Sequence, residues 1–122
     1  MSDILVTGAS GFIGKFLILA LVKKGHRVFA LFRKPTEQFP QLIAWLATKG
    51  VAEAQIVAIQ GDLSVANVGI SEENWQKMAN VSVIYHSAAM FGWNLSEQQA
   101  RQVNVKGVLE LLILAQQKLS LK

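Results

Sequence analysis

Three glycines, Gly8, Gly11 and Gly14, are separated by two residues each in the stretch LVTGASGFIG at residues 5–14. An apolar run precedes them, and a second, longer one from Phe16 to Val22 follows. Five residues, Asp3 to Thr7, suit a buried strand, and Gly11 to Lys24 suits a helix with Gly25 as its stop. A strand that turns directly into a helix through residues without Cβ atoms limits the chain to folds with a close backbone approach there.

The remainder repeats the alternation. Arg27 to Phe32 is a strand with little polar alternation, which predicts burial on both faces and hence a parallel sheet. Thr36 to Lys49 reads as a helix closed by Gly50, with Pro40 limiting where its first turn can lie. Gln55 to Gln60 is a third strand ended by Gly61 and Asp62, and Ser71 to Ala79 is a short helix with Ser71 as N-cap. Val81 to His86 is a fourth strand, and Ser96 to about Leu119 is one long helix opened by a Ser96–Gln99 capping box. Strand–helix alternation with right-handed crossovers implies an α/β fold, a Rossmann-type doubly wound parallel sheet truncated to about four strands in the order 3-2-1-4. Residues 1–122 then form one dinucleotide-binding segment. Its last helix leads to LSLK, where a fifth strand should begin, and this reads as the N-terminal part of a longer protein.

In such a fold the first turn holds a pyrophosphate. Glycines there admit the phosphate to the backbone, the N–H groups of the helix's first turn point at it, and the last glycine lets the helix pack closely. This assigns Thr7, Gly8, Ser10, Gly11, Phe12, Ile13 and Gly14 to cofactor binding. The end of the second strand discriminates between the two nicotinamide dinucleotides. A carboxylate there would accept from the ribose hydroxyls, but the chain carries Arg33 and Lys34, with no acid until Glu37. A guanidinium can bind a phosphate through two parallel hydrogen bonds, so NADP(H) is expected over NAD(H), with Arg33 as main reader and Lys34 in support.

The spacing G-x-x-G-x-x-G, as VTGASGFIG, resembles the N-terminal fingerprint of the extended short-chain dehydrogenase/reductase superfamily. GDLS at 61–64, YHSAAM at 85–90 and VNVKGV at 103–108 resemble further motifs of that superfamily, with Val108 in place of its usual Thr. GDLSVANVGISEENW and HSAAMFGW bring the chain nearest to the reductase domains of thioester and fatty acyl-CoA reductases. The resemblance implies that Asp62 and Leu63 lie at the adenine end. It also implies that Ser87, Ala88 and Ala89 line the cofactor, and that Asn104 has a structural role beside it. It implies an oxidoreductase that transfers hydride from NADPH to a carbonyl or thioester carbonyl, and the absence of cysteine fits a reducing cytoplasm. The superfamily's catalytic Tyr-x-x-x-Lys does not occur in these residues: Tyr85 is the only tyrosine, and Ala89 stands four places on. No catalytic residue is therefore assigned, and the segment by itself is expected to be inert. The alternative is a non-catalytic NADP(H)-sensing or interaction module without the Tyr/Lys pair.

The net charge of +4 is concentrated at the front: residues 1–34 hold six basic residues against Asp3 alone. With no nucleic-acid motif in the chain, this excess fits a phosphate-bearing small ligand, not nucleic acid. The seven residues of the apolar run 16–22 cannot span a bilayer. The absence of cysteine excludes thiolate metal sites, and two histidines make no metal constellation. His86 is expected to pack or hydrogen-bond, His26 to be solvated, and Tyr85 to be a core strand residue. Trp93 is left open as a residue facing the substrate cleft. A sheet ending at its fourth strand exposes an edge, through which a homo-oligomer could form.

Overall fold

The computed structural model describes residues 2–51, 55–87 and 96–122. Its elements are β1 (Asp3–Thr7), α1 (Phe12–Lys23), β2 (Arg27–Phe32), α2 (Pro35–Thr48), β3 (Ile56–Gln60), α3 (Glu72–Lys77), β4 (Val81–His86), α4 (Glu97–Arg101) and α5 (Val108–Lys118). The four strands are parallel and lie in the order β3-β2-β1-β4. This is the Rossmann-like arrangement that the alternating sequence implies.

The missing alternation in β2 has a direct cause. Leu5, Phe29, Leu31 and Ile59 face one side of the sheet, where Trp75 of α3 and Leu111 of α5 cover them. Ile4, Val6, Val28, Ala30 and Phe32 face the other side, covered by Ile18 and Leu21 of α1 and by Leu42 and Leu46 of α2. Helices on both faces leave the central strands no solvent side, so both registers must be apolar. The result holds the C-terminal ends of β1, β2, β3 and β4 side by side at one edge of the sheet, where Val6 pairs with Ala30 and Thr7 with His86.

Several boundaries differ from the sequence reading. Pro40 lies inside α2 and does not bound its first turn; Pro35 opens the helix. Proline suits the first helical position, and the helix continues through Pro40 because Leu42 and Leu46 beyond it are anchored in the core. The long last helix changes hand-hold midway. The Ser96–Gln99 capping box is present, but residues Gln102–Gly107 adopt a π-helical turn between α4 and α5. After α5 the chain lies against β4, where the Ser120 and Lys122 N–H groups donate to the Val81 and Ser82 carbonyls at 3.0 and 3.2 Å. Tyr85 is 40% exposed and not in the core, because the outer half of β4 is only partly covered. His26 is half-buried and accepts the Ser2 N–H at Nδ1. Among the described residues, no helix is long and apolar enough to cross a membrane.

Candidate functional site

The β1–α1 turn is built by its three glycines in three different ways. Gly8 has a φ of +68°, a left-handed conformation that a side chain resists. Its carbonyl accepts the Gly11 N–H at 3.0 Å, which closes the turn. A Cβ on Gly11 would lie 3.3 Å from that carbonyl oxygen, tight but outside strict exclusion, and Gly11 is exposed. A Cβ on Gly14 would lie only 1.9 Å from the same oxygen. Gly14 therefore lets α1 run hard against the turn itself, while Gly11 keeps the outer surface bare. No side chain caps α1, and its first turn holds no acid. Ser10, Phe12 and Ile13 are exposed around it. This cradle fits a pyrophosphate: backbone donors, an uncompensated helix N-terminus and no Cβ in the way.

At the next strand end, Phe32 is buried and Arg33 and Lys34 emerge into solvent. Neither side chain forms an ion pair among the described residues. Lys34 is the N-cap of α2, and its N–H donates to Gln38 Oε1 at 2.9 Å. Gln38 Nε2 in turn donates to Ser10 Oγ at 3.3 Å. The sequence reading passed over Gln38; the only trace was its place one helical turn after Lys34.

After β3, Asp62 is held on two sides. Its Oδ1 accepts the Ser64 N–H and hydroxyl at 2.8 and 2.5 Å. Its own N–H donates to the Val68 carbonyl at 2.7 Å. That second bond depends on a left-handed turn in which Asn67, Val68 and Gly69 have φ of 56°, 47° and 64°. A β-branched residue such as Val68 is strained there, and its complete burial offsets the strain. Leu63 is buried, and its carbonyl would lie 2.3 Å from a Cβ on Gly107. The π-helical turn that carries Asn104 can approach the β3 loop this closely only because residue 107 is glycine.

Between β1 and β4 the strand ends are tied together. Thr7 Oγ1 lies 2.7 Å from His86 Nδ1 and accepts the Ser87 N–H at 3.1 Å, and Ser87 Oγ donates to the Thr7 carbonyl at 2.7 Å. Thr7 is fully buried. Desolvation by burial lowers the His86 pKa below its usual 6.5, which favours the neutral ring. His86 thus serves as a hydrogen-bonding strand residue, and Ser87 uses its hydroxyl proton on the backbone. Ala88, Ala89 and Trp93 lie outside the described residues. Among the described residues no cluster of metal-ligating side chains occurs.

The family profile described as Male sterility protein, for an NAD-binding domain, matches residues 6–122. The chain belongs to this family. Fatty acyl-CoA reductase 1 of Homo sapiens is 30% identical over 130 residues, covering 94% of this chain and 25% of that protein. L-2-aminoadipate reductase of Saccharomyces cerevisiae is 30% identical over 125 residues, covering 93% of this chain and 9% of that protein. The chain thus spans a quarter or less of these relatives. Among solved structures, the terminal R domain from the myxalamid PKS-NRPS biosynthetic pathway superposes with a TM-score of 0.81 at 28% identity, over 99% of this chain and 33% of that one. The yeast methylglyoxal/isovaleraldehyde reductase complexed with NADPH shares the fold, with a TM-score of 0.74 at 19% identity over 95% of this chain and 33% of that one.

Proposed function

We propose that residues 1–122 are the NADP(H)-binding portion of a reductase that delivers hydride to a carbonyl or thioester carbonyl. The observation that carries the reading is the bare glycine cradle at the end of β1, with Arg33 and Lys34 beside it at the end of β2. The relatives support the reductase part, since both the fatty acyl-CoA and the aminoadipate enzymes are named as reductases.

In this reading the α1 N-terminus and Gly11 hold the pyrophosphate, with Ser10, Phe12 and Ile13 bordering it. Arg33, supported by Lys34, holds the adenosine 2′-phosphate by charge-assisted hydrogen bonds. Asp62, oriented by Ser64, presents its second carboxylate oxygen to the adenine amino group, with Leu63 beneath. Thr7 and Ser87 hold the β1 and β4 ends at the spacing the cofactor needs, where Ala88 and Ala89 follow. Asn104 braces the helix on the far side. When bound, the reduced nicotinamide supplies the hydride. No Tyr-x-x-x-Lys occurs in the sequence, so no proton donor for the substrate oxygen is assigned among these residues.

The test is the relative affinity of the purified full-length protein for NADPH and NADH, with and without Arg33→Asp. Charge-assisted hydrogen bonds contribute about 1.5–3 kcal/mol, so wild type should prefer NADPH by about 10- to 100-fold. The variant should prefer NADH. An unchanged affinity ratio in the variant would remove Arg33 from the assignment. Self-association through a sheet edge is a separate proposal, tested by light scattering; a clean monomer at high concentration counts against it.

A further inference from the structure

We infer that Gln38 is a positioning residue for phosphate selectivity, acting through Ser10 and the backbone of Lys34; this rests on the nucleotide-binding reading above. One side-chain amide joins two segments that the sheet sets side by side. Its oxygen accepts the Lys34 N–H at 2.9 Å and its nitrogen donates to Ser10 Oγ at 3.3 Å. Ser10 belongs to the turn after β1 and Lys34 follows β2, its direct neighbour. Gln38 therefore sets the gap between the pyrophosphate cradle and the two basic residues.

The chemistry of that gap favours an anion. An open cleft of about 150 Å³ lies there, with Ser10, Lys15, Gln38, Gln41 and Trp45 among its walls and no carboxylate. The Lys15 ammonium sits 4.9 Å from the centre of the Trp45 ring and 5.7 Å from that of Phe12. Rings hold it by attraction to their faces without neutralising its charge. Lys34 N–H is a donor, so the Gln38 oxygen must face it, and the NH₂ must face Ser10 and the cleft. That NH₂ has a second proton to give. A phosphate monoester in the cleft would meet the hydroxyl of Ser10, the amide of Gln38 and the charge of Lys15.

The informative variant is Gln38→Glu. It has the same shape and still accepts from Lys34 N–H, so the start of α2 is retained. It loses the donation to Ser10 and places a negative charge at the phosphate. In the full-length protein it should weaken NADPH binding about tenfold or more while NADH changes by less than about twofold, with Tm moving by less than about 2 °C. Ser10→Ala, on an exposed turn that does not endanger folding, should weaken NADPH in the same direction by a smaller factor. If Gln38 only caps α2, Gln38→Glu leaves both affinities unchanged, and that result overturns the inference. Equal weakening of both dinucleotides overturns it too. A wild-type protein that binds neither dinucleotide overturns the nucleotide reading itself, and with it this inference.

Discussion

Replacing Gly14 by alanine tests the glycine cradle more sharply than any other single change. The new Cβ would stand 1.9 Å from the Gly8 carbonyl oxygen, 2.7 Å from its carbon and 3.2 Å from the Ala9 Cα. All three are backbone atoms, so no rotamer change relieves the clash. Either the turn or the start of α1 must move by about 1 Å, and overpacking of this kind costs about 1–3 kcal/mol. Alanine returns up to about 1 kcal/mol through its better helix propensity. The net loss should approach about 2 kcal/mol, which for a domain of this size is about 8 °C in Tm. Gly11→Ala is the control, because its Cβ meets the same oxygen at 3.3 Å on the exposed side. It should shift stability by no more than about 0.5 kcal/mol yet weaken dinucleotide binding, since in the proposed binding mode the obstruction lies where the pyrophosphate approaches. Thermal melts by circular dichroism and NADPH titration on wild type and both variants separate the two effects. A Gly14→Ala protein melting within about 2 °C of wild type would refute the steric reasoning.

Two further outcomes follow from the β1–β4 knot. Thr7→Val keeps the shape but leaves the Ser87 N–H and the His86 ring without their partner, so urea denaturation should show a loss of about 1–3 kcal/mol. His86 has a folded pKa below the 6.5 of the unfolded chain, so the unfolded state binds its proton more readily. Its contribution is fully present above pH 6.5 and is lost as the pH falls below that value toward the folded pKa. Urea midpoints over about pH 5 to 8 should therefore fall on the acid side, and fall less in His86→Asn. Equal slopes in the two proteins would show that His86 is not the group responsible.

The elements that were legible in advance are those whose cause is local. β1, β2 and β4 match the sequence reading to the residue, because their apolar runs are bounded by charges, glycine or the loss of hydrophobicity. Ser71 and Ser96 cap their helices as expected, since an N-cap hydrogen bond needs only residues three apart. The π-helical turn at 102–107 was not legible: its sequence continues a helical pattern, and it packs where Gly107 comes close to Leu63, forty-four positions earlier in the chain. Tyr85 was misplaced for a similar reason, because exposure on an edge strand depends on what covers that edge.

The order of the sheet and the glycine cradle were determined by the sequence alone. Parallel pairing with right-handed crossovers leaves few arrangements, and a turn free of Cβ atoms needs only its own residues. What only the tertiary structure decided is how separate strand ends become one site. The Gln38 bridge to Ser10, the Ser87 and His86 contacts to Thr7, and the Val68 carbonyl holding Asp62 join residues from 6 to 80 positions apart. Their partners are chosen by the adjacency of β1 with β2 and β4, and by the folding back of a strained turn. Hydrogen bonds of this kind are short-ranged, so they appear only once packing of the core has brought the backbones together.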